Sequence, residues 1–445
     1  MKTEFSERQL ADPATAVSAQ AIRKCVHCGF CTATCPTYVL LGDERDSPRG
    51  RIYLMKEMLE KEQAPTPQVV RHIDRCLSCL ACTTTCPSGV DYMHLVDHAR
   101  AYIEARHARP VSERLLRGML AGVLPHRARF RWALRIGRVF SFLAPAFNSM
   151  PRTKPVGAML SLARSVPAQS SRPRNLAQDS AASGAKRGRV LLMQGCAESV
   201  VRPEIRAATV RLLNRVGYDV LFARDEGCCG ALVHHMGREA EALAFIKHTV
   251  DAWIRTIDSA ENVTAIIVTA SGCGTLIKDY GFALRNDAQY ADKAARISAL
   301  AKDISELLTP DDIRQDSSAA RTRVAYHAAC SLQHGQKIVA EPKRLLEAAG
   351  FDVHVPAEAH LCCGSAGTYN LLQPKLAAQL GERKASKLGA LAPEAIATGN
   401  VGCAVQIASH STVPVVHTVE LLDWATGGPV PPAMSNETTR RSMPR

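Results

Sequence analysis

An α+β multidomain architecture, with a mostly helical N-terminal unit followed by two duplicated α/β units, is what this 445-residue sequence predicts. Three observations predict it. The run C-x2-C-x2-C-x3-C-P occurs twice, at Cys25, Cys28, Cys31, Cys35 and Pro36 and again at Cys76, Cys79, Cys82, Cys86 and Pro87. Beyond Gly188 a second cysteine pattern is duplicated. Cys196, Cys228 and Cys229 recur 134 residues later as Cys330, Cys362 and Cys363, and Cys273 recurs 130 residues later as Cys403. In that half, short apolar runs alternate with helical patterns, the signature of parallel α/β sheets.

The opening stretch MKTEFSERQLADPATAVSAQ is polar and small, with no secretory signal. No run of eighteen apolar residues predicts a spanning helix. Sixteen cysteines without an export signal indicate metal ligation in a reducing compartment, so the cytoplasm is the expected address. Within residues 1–108, Ser47-Pro48 opens a helix over SPRGRIYLMKEMLEKEQ, and DYMHLVDHARAYIEARHAR after Val90 reads as another.

The spacing of the twin runs carries the chemistry. It is the bacterial ferredoxin pattern for two [4Fe–4S] clusters. Three thiolates on one turning loop hold three corners of a cube, while the fourth, before proline, is carried to the other cube. Cys25, Cys28, Cys31 and Cys86 are thus expected around cluster 1, and Cys76, Cys79, Cys82 and Cys35 around cluster 2. Two zinc sites are the alternative, but zinc favours C-x2-C pairs separated by a longer loop. Arg49 and Arg51 are candidates to offset cluster charge. His27, between Cys25 and Cys28, is expected to tune cluster exposure rather than ligate.

Residues 109–188 read as a basic amphipathic helical segment and linker. Between Arg100 and Asn175 stand fifteen Lys or Arg against Glu104 and Glu113, which accounts for the chain's whole excess of +13. Trp132, Phe140 and Phe142 sit among or just after the arginines, a pattern suited to an anionic membrane surface or an acidic partner. The alternative is a bridging segment with solvated arginines. No nucleic-acid module accompanies the charge, so no nucleic-acid partner is expected.

The two repeats are expected over 189–310 and 321–430, with 431–445 a disordered tail. RVLLMQGC, AIIVTASGC, RVAYHAAC and AIATGNVGC each run from apolar residues to a cysteine. Functional groups in open α/β sheets collect beyond the carboxyl ends of strands. The set Cys196, Cys228, Cys229 and Cys273 should therefore meet at one sheet edge, and Cys330, Cys362, Cys363 and Cys403 at the other. Gly230 and Gly364 would let the adjacent cysteine pairs turn. Four thiolates per repeat suit a further cluster, a zinc ion or thiol–disulfide chemistry; single members could be core residues. His234, His235, His327, His334, His360 and His417 are candidates for metal ligation, quinone contact or proton transfer.

The repeats resemble the cysteine-rich CCG domain of heterodisulfide reductase subunits and of iron–sulfur subunits of flavin-linked dehydrogenases. The whole chain is most similar to the glycolate oxidase iron–sulfur subunit family. SPRGRI (47–52), TASGCGTLIKDYG (269–281), SLQHGQK (331–337), HLCCGSAGTY (360–369) and NVGC (400–403) carry that resemblance. It departs from heterodisulfide reductase after Cys273 and Cys403, where Gly-Thr-Leu and Ala-Val-Gln replace the fifth cysteine. That puts a five-thiolate cluster and heterodisulfide chemistry in doubt. The resemblance implies a hetero-oligomer in which FAD-binding glycolate oxidase subunits oxidise glycolate to glyoxylate. Electrons would then pass through the clusters to a membrane quinone at the inner face of the cell membrane. No G-x-G-x-x-G or P-loop is present, so FAD is expected on partners only. Cluster subunits of anaerobic glycerol-3-phosphate or lactate dehydrogenase, a thiol–disulfide enzyme and a DNA-binding redox sensor are the alternatives.

Overall fold

Side-chain caps set the helices of the N-terminal unit. Asp12 accepts the Thr15 N–H at the head of Pro13–Lys24, and Ser47 accepts the Gly50 N–H at the head of Pro48–Glu60. Thr66 and Asp91 do the same for Pro67–Asp74 and Tyr92–Arg106. Each cap satisfies an orphan donor of the first turn, and proline at three of the starts fits because its missing N–H is not needed there. The helices expected after Ser47 and after Val90 are both formed. Ile22, Met55, Ile73, Leu95 and Ile103 close the core between them. In this computed structural model, residues 1–149, 153–165, 179–183, 185–313 and 321–435 are described.

The duplicated cysteines predict duplicated folding, and the sheets repeat one topology. The first contains β1 (Gly188–Leu192), β2 (Tyr218–Leu221), β3 (Val263–Val268) and β4 (Ala301–Asp303), all parallel in the order β2-β1-β3-β4. The second contains β5 (Arg323–His327), β6 (Asp352–His354), β7 (Ala395–Thr398) and β8 (Val415–His417), in the order β6-β5-β7-β8. Central strands are buried on both faces, as Val190 and Leu191 in β1 and Val324 and Ala325 in β5 show.

The repeats pack by exchange of equivalent surfaces. The helix after β1 (Pro203–Arg215) lies on the helix after β8 (Thr418–Ala425). Correspondingly, the helix after β4 (Ile304–Leu307) lies on Glu341–Ala348, the helix following β5. Ile205, Leu213, Leu345 and Leu421 merge in one core across this junction. Arg202 reinforces it with a 3.0 Å ion pair to buried Glu420. The N-terminal unit docks on both repeats. His94 Nε2 meets Asp279 Oδ1 at 3.1 Å and His234 Nε2 meets Asp97 Oδ2 at 3.2 Å on the first. Tyr369 donates to the Arg75 carbonyl at 3.2 Å on the second.

The basic segment is two main helices, Val111–Val123 and Arg127–Val139, separated at Pro125. Part of its charge is internal, unlike the expected free face. Buried Arg117 donates to the Met236 carbonyl at 2.6 Å, and Arg127 donates to the Gly195 carbonyl at 2.9 Å. Phe130 and Leu134 enter the joint core. The opposite face exposes Arg129, Arg131 and Arg135 with Trp132, Ile136, Phe140 and Phe142. Among the described residues no helix is long and apolar enough to cross a membrane. Residues 150–152, 166–178 and 184 of the expected basic segment and linker and 436–445 of the expected tail lie outside the described residues.

Candidate metal centres

The two C-x2-C-x2-C loops share an unusual backbone. His27 and Gly29 have φ of 55° and 87°; their counterparts 51 positions on, Ser78 and Leu80, have 50° and 60°. Three of these four are not glycine, so the left-handed conformation costs on the order of 1–3 kcal/mol each and marks a functional constraint. The short helices Phe30–Thr34 and Ala81–Thr85 that follow pack side by side. Cys35 and Cys86, each ending one of these helices, are thereby set against the neighbouring loop. One hollow is lined by Cys25, Cys28, Cys31 and Cys86, with Cys82 also on its wall. A second is lined by Cys35, Cys76, Cys79 and Cys82. Four thiols around each hollow fit the donor set of a [4Fe–4S] cube.

The hollows differ in depth and charge. Cys28 is exposed, flanked by Val26 and Phe30 at 68% and 64% exposure, so the first faces solvent. Burial and the neighbouring Cys25 and Cys35 push the Cys31 thiol up to about 11. At the second hollow Cys76, Cys79 and Cys82 are buried. Burial pushes the Cys79 and Cys82 thiols well up. Burial also opposes ionisation of Cys76, but the Arg51 and Arg100 guanidiniums outweigh it and the net shift is downward.

Arg51 is fully enclosed. It donates to the His72 carbonyl at 2.7 Å, to Thr37 Oγ1 at 2.9 Å and toward Cys35 Sγ at 3.7 Å. Asp46, also enclosed, accepts from Arg51 at 3.3 Å and Arg75 at 2.7 Å, with His72 Nδ1 at 2.9 Å. Arg49 lines the first hollow, where it pairs with Glu44 and donates to the His27 carbonyl at 3.2 Å, while Arg51 reaches the sulfurs of the second. Asp46, His72, Arg75 and Arg100 carry no sequence signal of this role and were not among the expected residues.

In each repeat the expected cysteines converge. Cys196 and Cys228 Sγ lie 3.3 Å apart, and Cys330 and Cys362 Sγ lie 3.6 Å apart. Gly230 and Gly364 have φ of 90° and 88°, and a Cβ there would stand 3.0 Å from the Ala242 carbonyl and 2.6 Å from that of Ala377. Not every thiol comes from a strand end: Cys273 and Cys403 sit in the first turns of Ser271–Lys278 and Val401–Ala408. Thiols this crowded lose protons readily only when a cation joins them. The second group abuts the N-terminal unit, where Cys79 and Leu77 pack with Cys362 and Cys330.

Of the six histidines, His327 alone is grouped with cysteines among the described residues, near Cys363 and Cys403. His334 contacts Thr84 Oγ1 at 2.8 Å and the His360 carbonyl at 3.3 Å. His417 caps the helix Thr418–Ala425. His235 borders a cleft of about 690 Å³ that also reaches Arg75, Cys76, Leu77, Arg100 and Tyr369. Its Nδ1 is buried without a partner, and burial brings the ring down to about 4.

Comparison with known proteins agrees with this layout. A 4Fe-4S dicluster domain matches residues 21–90, and a cysteine-rich (CCG) domain matches 190–278 and 324–408. The chain is 42% identical over 428 residues to a glycolate oxidase iron–sulfur subunit of Escherichia coli (strain K12), covering 96% of this chain and 99% of that protein. It is 31% identical to a probable glycolate oxidase iron–sulfur subunit of Bacillus subtilis (strain 168), over 96% and 97% of the two chains. Lactate utilization protein A of Anoxybacillus flavithermus is 26% identical over 53% of this chain and 98% of its own length.

Proposed function

Because this chain belongs to the family of glycolate oxidase iron–sulfur subunits, we propose that it passes electrons from FAD-binding partner subunits, which oxidise glycolate to glyoxylate, to a membrane quinone. Iron–sulfur electron transfer is the role these relationships support. In this reading Cys25, Cys28, Cys31 and Cys86 hold one [4Fe–4S] cluster, and Cys76, Cys79, Cys82 and Cys35 hold the other. Each cluster, when bound, accepts and releases one electron at a time. The two electrons of each glycolate therefore cross singly, and with two protons they convert quinone to quinol.

The observation that carries the direction is the difference in depth. Exposed Val26 and Phe30 around Cys28 offer an apolar rim for a partner protein. Arg51 and Arg100 hold positive charge beside the buried loop and favour arrival of an electron there. The cleft beside Cys76 has room for a quinone head, with Leu77, Leu116 and Leu372 and the unpartnered His235 Nδ1 among its lining side chains. The exposed arginines and aromatics of Arg127–Val139 and the residues after it support peripheral membrane association. Half-length similarity to lactate utilization protein A favours lactate as the second reading of the substrate.

Cys28→Ala in the assembled complex tests the wiring. Glycolate should still bleach the partner's flavin while quinone reduction is lost. Quinone reduction at the wild-type rate would refute passage through the first site, and bleaching by lactate but not glycolate would select the second reading.

A further inference from the structure

The two repeats are not chemically equal. Three residues before its first cysteine the second repeat has His327, where the first has Met193. His327 is 1% exposed, and neither ring nitrogen has a hydrogen-bond partner. One of its nitrogens and the sulfurs of Cys363 and Cys403 all lie within 4.8 Å of one another. Cys330 and Cys362 extend the group, so five metal-ligating side chains gather in one buried place. A buried imidazole with both nitrogens unpaired is costly, and an ion that takes one lone pair removes the cost.

The surroundings differ as well. Lys384, 3% exposed, is anchored by the Glu358 carbonyl at 2.8 Å and reaches the four thiols of the second group electrostatically. Gly364 seats against Ala377 as Gly230 seats against Ala242, which places the equivalent of Lys384 at Thr249 or Val250. Neither is charged. Around the first group stand the buried carboxylates Glu198, which faces Cys273, and Glu226, which accepts the Gly195 N–H beside Cys196. The second group thus has an imidazole and a buried lysine where the first has a thioether, two carboxylates and Arg127, which is anchored on the Gly195 carbonyl beside Cys196.

We propose that the second repeat holds an iron centre with His327 as a ligand beside Cys330, Cys362, Cys363 and Cys403, and that it exchanges electrons with the cluster held by Cys76, Cys79 and Cys82. Five donors exceed the four of a structural zinc site. His327 is neutral where a fifth thiolate would be anionic, so it leaves the potential of the centre higher than five thiolates would. Cys79 and Cys362 lie in one buried cluster, which supplies the path. With both centres bound, one electron would pass between the neighbouring cluster and the iron of the repeat, one being oxidised as the other is reduced. No bond breaks and no proton is required, because Lys384 offsets the added charge. The inference rests on the N-terminal unit carrying clusters.

Iron content and EPR-monitored redox titration of the anaerobically purified full chain test it. The wild type should bind more than the about eight irons of two cubes. His327→Ala should lose the excess and keep both cube signals, while His327→Cys should keep the excess iron at a lower potential. A wild type with about eight irons overturns the proposal. So does excess iron whose amount and potential are the same in both variants. Absence of the cube signals from the wild type would overturn the reading beneath it as well.

Discussion

Replacing Arg51 by Gln asks which cluster Cys35 serves. The guanidinium lies 3.7 Å from Cys35 Sγ inside the protein. A full charge on that sulfur would interact with it by about 4.5 kcal/mol at an effective dielectric of ~20. An added electron is spread over the cube at roughly twice that distance, which leaves about 2 kcal/mol. For a one-electron couple this corresponds to about 90 mV. The potential of the cluster at Cys76, Cys79 and Cys82 should therefore fall by about 90 mV in Arg51→Gln, with the solvent-facing cluster nearly unmoved. Arg51→Lys, which keeps the charge but loses the fork, should shift it by less. Asp46 keeps Arg75 at 2.7 Å, so the stability loss should be at the low end of the roughly 3–5 kcal/mol typical of a broken buried pair. EPR-monitored titration of both clusters reads the result. A shift confined to the solvent-facing cluster would place Cys35 with Cys25, Cys28 and Cys31 and refute the crossed assignment.

His94 gives the docking of the N-terminal unit a pH dependence. Burial disfavours its charge, but Asp279 and Asp91 outweigh this and hold it up at about 9. A raised folded value means that the contribution is fully present below about pH 6.5 and is lost as pH climbs toward 9. Burial pushes the Asp279 carboxyl up and consumes part of the gain, leaving about 1–2 kcal/mol. The gap in urea midpoint between wild type and His94→Ala should shrink from pH 6 to pH 9.5, and an unchanged gap would remove the ion pair from the account. On the surface, changing Arg129, Arg131 and Arg135 together to Gln should weaken binding to phosphatidylserine vesicles about 100-fold, at about 1 kcal/mol per arginine. Equal sedimentation of variant and wild type would leave those side chains merely solvated.

Spacing and periodicity are local properties, and what they control was legible. Ser47-Pro48 opens its helix because a cap needs only its own first turn. The 134-residue displacement yields two sheets of one strand order, since each repeat carries its own strands and crossovers. Properties that depend on packing partners were not legible. Nothing in the sequence separates Arg117 and Arg127, which turn inward to carbonyls of the first repeat, from Arg131 and Arg135, which stay in solvent. The left-handed backbone at His27, Ser78 and Leu80 lacks the glycine that would announce it, because the cysteine loops impose it.

The difference between the repeats lies between these cases. Aligning the copies is enough to set His327 against Met193, but a histidine in place of a methionine has many bland explanations. Burial of the whole ring, two nitrogens without partners and two sulfurs within 4.8 Å remove most of them. A packed histidine would show a hydrogen bond, as His417 does to the Thr269 carbonyl at 3.0 Å, and a surface histidine would meet water. Both copies hold four thiols while the residues around them differ, and the copy with the imidazole and the lysine is the one that shares a buried cluster with Cys79. That coincidence of ligand, charge and neighbour is what an electron-exchanging centre requires, and a purely structural second copy would have no need of it.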